Sequence, residues 1–162
     1  MVNPCSFCSA ECCKTYLVTI TAFDVLRAAK ASGKRPEEFA LLHEPRLLGY
    51  DPELILNTAD GYGSYLLGFK SHPCIFLEEN KCTIHENAPL SCRHYPYTVA
   101  KTMNARFCPF FSKIMFRLKG PDNKRKLVLD EINEYKKTVK QWNKKQGKKE
   151  DCLPFLLEKI TQ

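Results

Sequence analysis

Hydrophobic and polar positions change period several times along the chain, and each change predicts an element. Tyr16, Leu17, Val18, Thr19 and Ile20 form an alternating, β-branched run that predicts a short strand. Thr21 follows as a helix N-cap with Asp24 at the third helical position, and Phe23, Val25, Leu26 and Ala29 give an apolar face that stops at Gly33. A second start, Pro36 with Glu37 and Glu38 in the first turn, feeds Phe39, Leu41 and Leu42 before Pro45, so a short pair of helices is expected. After a mixed stretch from Leu47 to Asp60, Tyr62 to Phe69 reads as a strand.

Cys74-Ile75-Phe76-Leu77 and Lys81-Cys82-Thr83-Ile84 flank Glu78, Glu79 and Asn80, the pattern of a β-hairpin with a cysteine on each arm. Two registers are open. A two-residue turn at Glu79-Asn80 opposes Leu77 to Cys82 and puts Cys74 on the other side, whereas a three-residue loop puts both cysteines together. Ala88 to Pro96 is bounded by prolines and fits one or two helical turns, with Cys92 near the N-terminal end, where helix N–H groups and the cation Arg93 are expected to favour thiolate. Residues 97–107 read as strand or loop, and Phe110, Phe111, Ile114, Met115 and Phe116 read as core. Val128, Ile132, Tyr135, Val139 and Trp142 recur at helical spacing, so the segment opened by Pro121, Asp122 and Asn123 predicts a long helix with one docking face and one basic face, ended by Gly147. A short last helix is expected from about Pro154 to Ile160, packing through Phe155, Leu156 and Ile160.

Cysteine gives this pattern its chemistry. Four thiols fall within nine residues, at Cys5, Cys8, Cys12 and Cys13, and four more follow at Cys74, Cys82, Cys92 and Cys108 before an isolated Cys152. Thiolate is the soft ligand that zinc and iron–sulfur clusters select, and a CxxC step presents two sulfurs to one ion. Counted at helical spacing, Cys5, Cys8 and Cys12 share a face and Cys13 points elsewhere. Eight ligands suffice for two four-sulfur sites or for one with spares, and their clustering argues against eight small buried hydrophobes. Sulfur-only ligation suits zinc and iron–sulfur alike; the adjacent pair Cys12-Cys13 and the lack of paired histidines favour iron–sulfur.

The expected fold is α+β: a small helix-rich single domain with a short β-hairpin, organised around a cysteine metal site. Residues 1–118 are expected to form the cysteine-cluster metal-binding domain, and residues 119–162 a basic C-terminal helical extension packed on it.

Charge and compartment narrow the function classes. No apolar run approaches the roughly 20 residues that cross a bilayer, and cysteines occupy the stretch where a signal peptide would carry its apolar region. A reducing cytoplasm is therefore expected, with no membrane partner, and thiol density there argues for metal rather than disulfides. The formal charge of +7 points to nucleic acid until it is located: residues 119–150 hold 11 Lys/Arg against 5 Asp/Glu, whereas residues 1–118 hold 13 against 11. Its lysines are interleaved with Glu131 and Glu134, which favours a solvated face over a nucleic-acid or acidic-protein surface. There is no Gly-rich phosphate or dinucleotide loop and no nucleophile–base motif, and Gly61-Tyr62-Gly63 alone carries no such role. A metal-binding protein is expected, with a redox or methyltransferase-associated enzyme, or a nucleic-acid-binding protein with structural zinc, as the alternatives.

The order CxxCxxxCC at 5–13, Cys74-Ile75-Phe76-Leu77, Cys82-Thr83-Ile84 and Pro89-Leu90-Ser91-Cys92-Arg93-His94-Tyr95-Pro96 resembles the YkgJ-type zinc- or iron-chelating domain, also called the CxxCxxxCC cysteine-cluster family. The resemblance covers about residues 3 to 110 and extends to the Thr21–Gly33 helix with the following Pro36-Glu37-Glu38-Phe39. It implies metal binding through these cysteines. The family includes a domain attached to flagellin lysine methylases, for which an iron–sulfur cluster is the implied cofactor. The chain departs from the family pattern at His85, where tyrosine is usual, and at Ala88, where arginine is usual. His85 is thereby a candidate extra ligand, with an ordinary packing histidine the favoured reading, and the missing arginine removes one source of charge compensation.

Overall fold

The structure, a computed structural model, describes residues 8–45, 51–60, 63–97, 103–120 and 125–162. Cys5, Tyr62 and the expected helix start at Pro121, Asp122 and Asn123 lie outside the described residues. The helices are α1 (Glu11–Thr15), α2 (Ala22–Ser32), α3 (Pro36–Phe39), α4 (Leu90–His94), α5 (Phe110–Lys119), α6 (Arg125–Lys145) and α7 (Lys149–Thr161). The strands are β1 (Ala40–His43), β2 (Leu56–Asn57), β3 (Ser64–Phe69), β4 (Leu77–Glu78) and β5 (Lys81–Cys82). The architecture is a small, helix-rich α+β domain.

The larger sheet is antiparallel in the order β1-β3-β2, with Ala40 opposite Phe69 and Leu56 opposite Tyr65. The expected Tyr16–Ile20 strand contributes a single bridge, Thr19 to Gly68, flanked by Ile20 N–H to the Leu67 carbonyl at 2.9 Å and Phe69 N–H to the Val18 carbonyl at 3.0 Å. Gly68 is needed there because a Cβ would stand 2.9 Å from His43 Cδ2 and 3.1 Å from the Val18 oxygen. Helix α2 begins as its sequence dictates: the Thr21 hydroxyl accepts from Asp24 N–H, the Asp24 carboxylate accepts from Thr21 N–H, and Gly33 closes the helix at φ 70°.

The expected second helix is only one turn long. Beyond Phe39 the burial alternates, with Ala40 and Leu42 at 4% and 6% exposure and Leu41 at 41%, and this two-residue period pairs the segment with β3 as β1. The expected pair of helices is thus α2 and the single turn α3, and Leu41 and Leu42 belong to a strand. The final helix departs in the opposite direction. It starts at Lys149 and carries Pro154 inside it, because Cys152 and Leu156, four residues apart, are both fully buried and their docking offsets the hydrogen bond proline removes.

One buried cluster joins the sheet to the C-terminal helices. Phe39, Phe69 and Phe76 stack edge to face with ring centroids 5.2 to 6.2 Å apart, and Tyr135, Val139 and Trp142 of α6 with Cys152 and Leu156 of α7 complete the same core. The α6 period read from the sequence is thus its docking face. Gly147 fits beneath Trp142, whose Cη2 would lie 2.4 Å from any Cβ placed there. Several lysines of α6 and α7 have structural work: Lys136 pairs with Asp51 and Glu53, Lys140 with Glu53, and Lys149 lies over the Tyr65 ring.

The reading of α5 as core is overturned. Phe110 and Phe111 are each 72% exposed and Ile114 is 40% exposed, with Met115 and Phe116 half-buried, while Ser112 is buried. An apolar segment at helical spacing fixes the helix but not which face turns inward.

Candidate metal centre

Three short segments bring the cysteines together. Cys12 and Cys13 lie on α1, Cys74 and Cys82 on the approach and return of the β4–β5 hairpin, and Cys92 on α4. The Cys74 N–H donates to the Cys13 carbonyl at 2.9 Å, which fastens the hairpin approach to α1. Phe76, 2% exposed within the aromatic trio, seats the same segment in the core.

The hairpin adopts the two-residue turn. Leu77 opposes Cys82, Glu78 opposes Lys81, and Glu79 and Asn80 both take positive φ, as the tight hairpin turn requires. The corollary that Cys74 falls on the opposite side has no footing in the pleat, because strand alternation never reaches it. A turn intervenes, with Leu77 N–H donating to the Cys74 carbonyl at 2.9 Å, so Cys74 lies within electrostatic range of Cys82.

The shared helical face of Cys5, Cys8 and Cys12 is also corrected as far as the described residues reach. Helix α1 begins only at Glu11, and Ala10 ahead of it is left-handed at φ 58°, so Cys8 stands outside the helix. Cys13 does not point away. Its Sγ is 3.9 Å from Cys12 Sγ, and it is electrostatically coupled to Cys74 and Cys92.

Crowding governs the thiol acidities. The hydrogen bond from Cys13 draws Cys12 down to about 7, and donating that bond pushes Cys13 up. Burial raises Cys74 and Cys82, and the neighbouring charge of Cys12 adds to both. Cys92 is raised by burial, then by Cys74, Asp24, Cys12 and Cys82. Burial and neighbouring sulfur charge thus disfavour thiolate at Cys13, Cys74, Cys82 and Cys92, and a cation entering the region would offset both. The expectation that Arg93 and helix N–H groups make Cys92 a thiolate fails: the Arg93 Nη1 donates to the Glu86 carbonyl at 3.2 Å, and burial decides the acidity.

Cys108 lies to one side of this group. Burial raises it, with Cys8 and Cys12 adding charge, while the Tyr95 hydroxyl beside it acts in the opposite direction. That hydroxyl is buried, and burial followed by the neighbouring charge of Cys108 raises it. Cys152 is a core side chain, fully buried and raised to about 12 by burial alone. His85 sits half-buried on a 3-10 turn, His85–Asn87.

Asp24 is the residue sequence reasoning missed. Recognised only as a capping partner, it also accepts from Leu90 N–H at 3.0 Å and pairs with Arg27, which forks onto Glu131 at 2.7 and 2.8 Å. It thereby fixes the start of α4 two residues before Cys92. The capping pattern gave no signal of that second role, which depends on a contact 66 residues away.

The donor set fits a thiophilic metal: sulfur donors only, from three segments, with acidities that a cation would lower. Among the described residues, no three Cys, His, Asp or Glu side chains already stand at coordinating geometry. The thiols are gathered without being closed into a shell.

A family model described as "Putative zinc- or iron-chelating domain" (CxxCxxCC) matches residues 4–109, the span that contains all of these thiols except Cys152. No curated protein and no solved structure matches the chain.

Proposed function

The chain belongs to the CxxCxxCC family, and on that premise we propose that it is a metal-binding protein whose centre is held by Cys12, Cys13, Cys74, Cys82 and Cys92, with Cys5, Cys8 and Cys108 completing it. The observation that carries this reading is the gathering of thiols from α1, the hairpin and α4, with Cys12 and Cys13 Sγ 3.9 Å apart and the Cys74 N–H bonded to the Cys13 carbonyl at 2.9 Å. Such crowding disfavours a metal-free dianion, and a bound cation relieves it by taking the thiols as thiolates.

The group is an iron–sulfur cluster rather than zinc. Zinc and either cluster type each take four cysteines, so thiol number does not decide; the adjacent pair Cys12-Cys13, with Sγ atoms 3.9 Å apart, and the lack of paired histidines favour the cluster. When bound, an iron–sulfur cluster supplies one-electron transfer; the chain's part is to hold it and to set its surroundings. Cys92 is half-buried, the Tyr95 hydroxyl offers a hydrogen bond toward sulfur on the Cys108 side, and Asp24 holds α4 in place. The surplus of thiolate donors fits a closed site better than a catalytic one with an open position. A reducing intracellular compartment accords with the seven free cysteines described in this region.

The test is anaerobic purification followed by a visible absorption spectrum and analysis of iron, zinc and acid-labile sulfide. A brown protein with iron and sulfide in comparable amounts is expected. Colourless protein carrying zinc and no sulfide would overturn the cluster while keeping the thiolate site. Protein reconstituted with either metal that retains none would overturn both.

A further inference from the structure

Helix α5 is amphipathic in an inverted sense. Its polar residue Ser112 is 1% exposed, whereas Leu118 is 83% exposed alongside Phe110, Phe111 and Ile114. At 3.6 residues per turn these four apolar side chains occupy one arc of about 100°, directed away from Ser112. Lys113 and Arg117 border one edge of the arc, and Met115 follows the other. The surrounding sequence extends this charge: residues 87–121 contain no Asp or Glu and six Lys/Arg.

We propose that α5 docks in the interface of an anionic lipid bilayer, lying along its surface with Phe110, Phe111, Ile114 and Leu118 in the outer hydrocarbon and Lys113 and Arg117 at headgroup phosphates. Two features select lipid over protein. The exposed arc offers no hydrogen-bonding side chain, while protein interfaces carry about one hydrogen bond per 100–200 Å² and a fluid hydrocarbon layer requires none. Lys113 and Arg117 stand along one border of the apolar arc, where their stems lie along hydrocarbon and their charges reach the phosphates. A second copy of the chain is disfavoured by charge, since a two-fold pairing sets this basic rim against itself. The earlier expectation of no membrane partner rested on the lack of a spanning segment, and no described helix is long and apolar enough to cross a membrane. Docking on the surface needs no such span.

The experiment is vesicle flotation of the full chain with phosphatidylcholine alone and with phosphatidylserine added, at low and high salt. At least about tenfold more protein is expected on the anionic vesicles, declining as salt screens the attraction. Because the altered side chains are exposed, Phe111→Ser with Leu118→Ser should keep circular dichroism and bound metal unchanged while binding falls by about tenfold or more. Lys113→Gln with Arg117→Gln should lower binding to the anionic vesicles selectively. Absence of wild-type binding overturns the proposal, as does equal binding to neutral and anionic vesicles or full binding by the Phe111/Leu118 variant. Binding of α5 to an acidic amphipathic helical peptide with none to vesicles overturns it in favour of a protein partner, and dimerisation abolished by the same variant overturns it in favour of a second copy.

Discussion

Replacing Asp24 with alanine removes three attachments at once, and the structure gives a magnitude for each. Asp24 is 4% exposed. Losing its half of the capping box at Thr21 costs about 1 kcal/mol. The Leu90 N–H, which donates to it across 66 residues, is left buried without an acceptor, about 1–3 kcal/mol. Arg27 keeps Glu131 but loses its inner partner; because that guanidinium is 24% exposed, about 1 kcal/mol is assigned rather than the larger cost of a fully buried pair. Burial alone would lower Arg27, and the carboxylates of Glu131 and Asp24 together hold it above its ordinary value. The sum is about 3–5 kcal/mol, a large share of the stability of a domain this size. Urea unfolding of the metal-loaded protein measures it through the midpoint at constant slope. Asp24→Asn, which keeps an acceptor for Leu90, should lose less than the alanine variant. A loss below about 1 kcal/mol for Asp24→Ala, or equal losses for both variants, would refute the account of Asp24 as the link between α2, α4 and α6.

Other outcomes follow from single features. Gly147→Ala forces a Cβ into the Trp142 ring and should cost about 1–3 kcal/mol, read by thermal unfolding. In the metal-free protein Cys74, Cys82, Cys92 and Cys108 sit above their ordinary value of 9.0. Their stabilisation is therefore complete below about pH 9 and is lost as pH rises beyond it, because the unfolded chain releases those protons first. Metal-loaded protein, with its ligands already deprotonated, should lose less over the same range in a melting series. Metal-free protein treated with limiting iodoacetamide near neutral pH should be alkylated first at Cys12, whose thiol is drawn down to about 7, as peptide mass spectrometry would report.

What could be read from the sequence was local. The Thr21–Asp24 capping box, Gly33 beyond it and the α6 docking face depend on neighbours within a few residues, and each was legible. The hairpin was legible but its register was not, and Cys74 was not, because a turn between Cys74 and Leu77 interrupts the parity that links side chain to face. Strand β1 was misread as helix: Leu41 and Leu42 suit either period, and pairing with β3 decides between them. The orientation of α5 was illegible because its apolar arc fits a core and a surface equally well. The thiols were legible as a set, while their acidities were not, since Cys92 is governed by burial and by sulfurs from distant segments rather than by adjacent Arg93.

The most direct test of the central claim compares metal content across three single substitutions prepared side by side: Cys12→Ser, Cys92→Ser and Cys152→Ser. The first two thiols lie in the coupled group, and the third is fully buried in the core between α6 and α7. Metal per chain should fall for Cys12→Ser and Cys92→Ser and stay at the wild-type level for Cys152→Ser, even where Cys152→Ser lowers the melting temperature. Full metal content in both Cys12→Ser and Cys92→Ser would contradict the assignment of the centre to these cysteines.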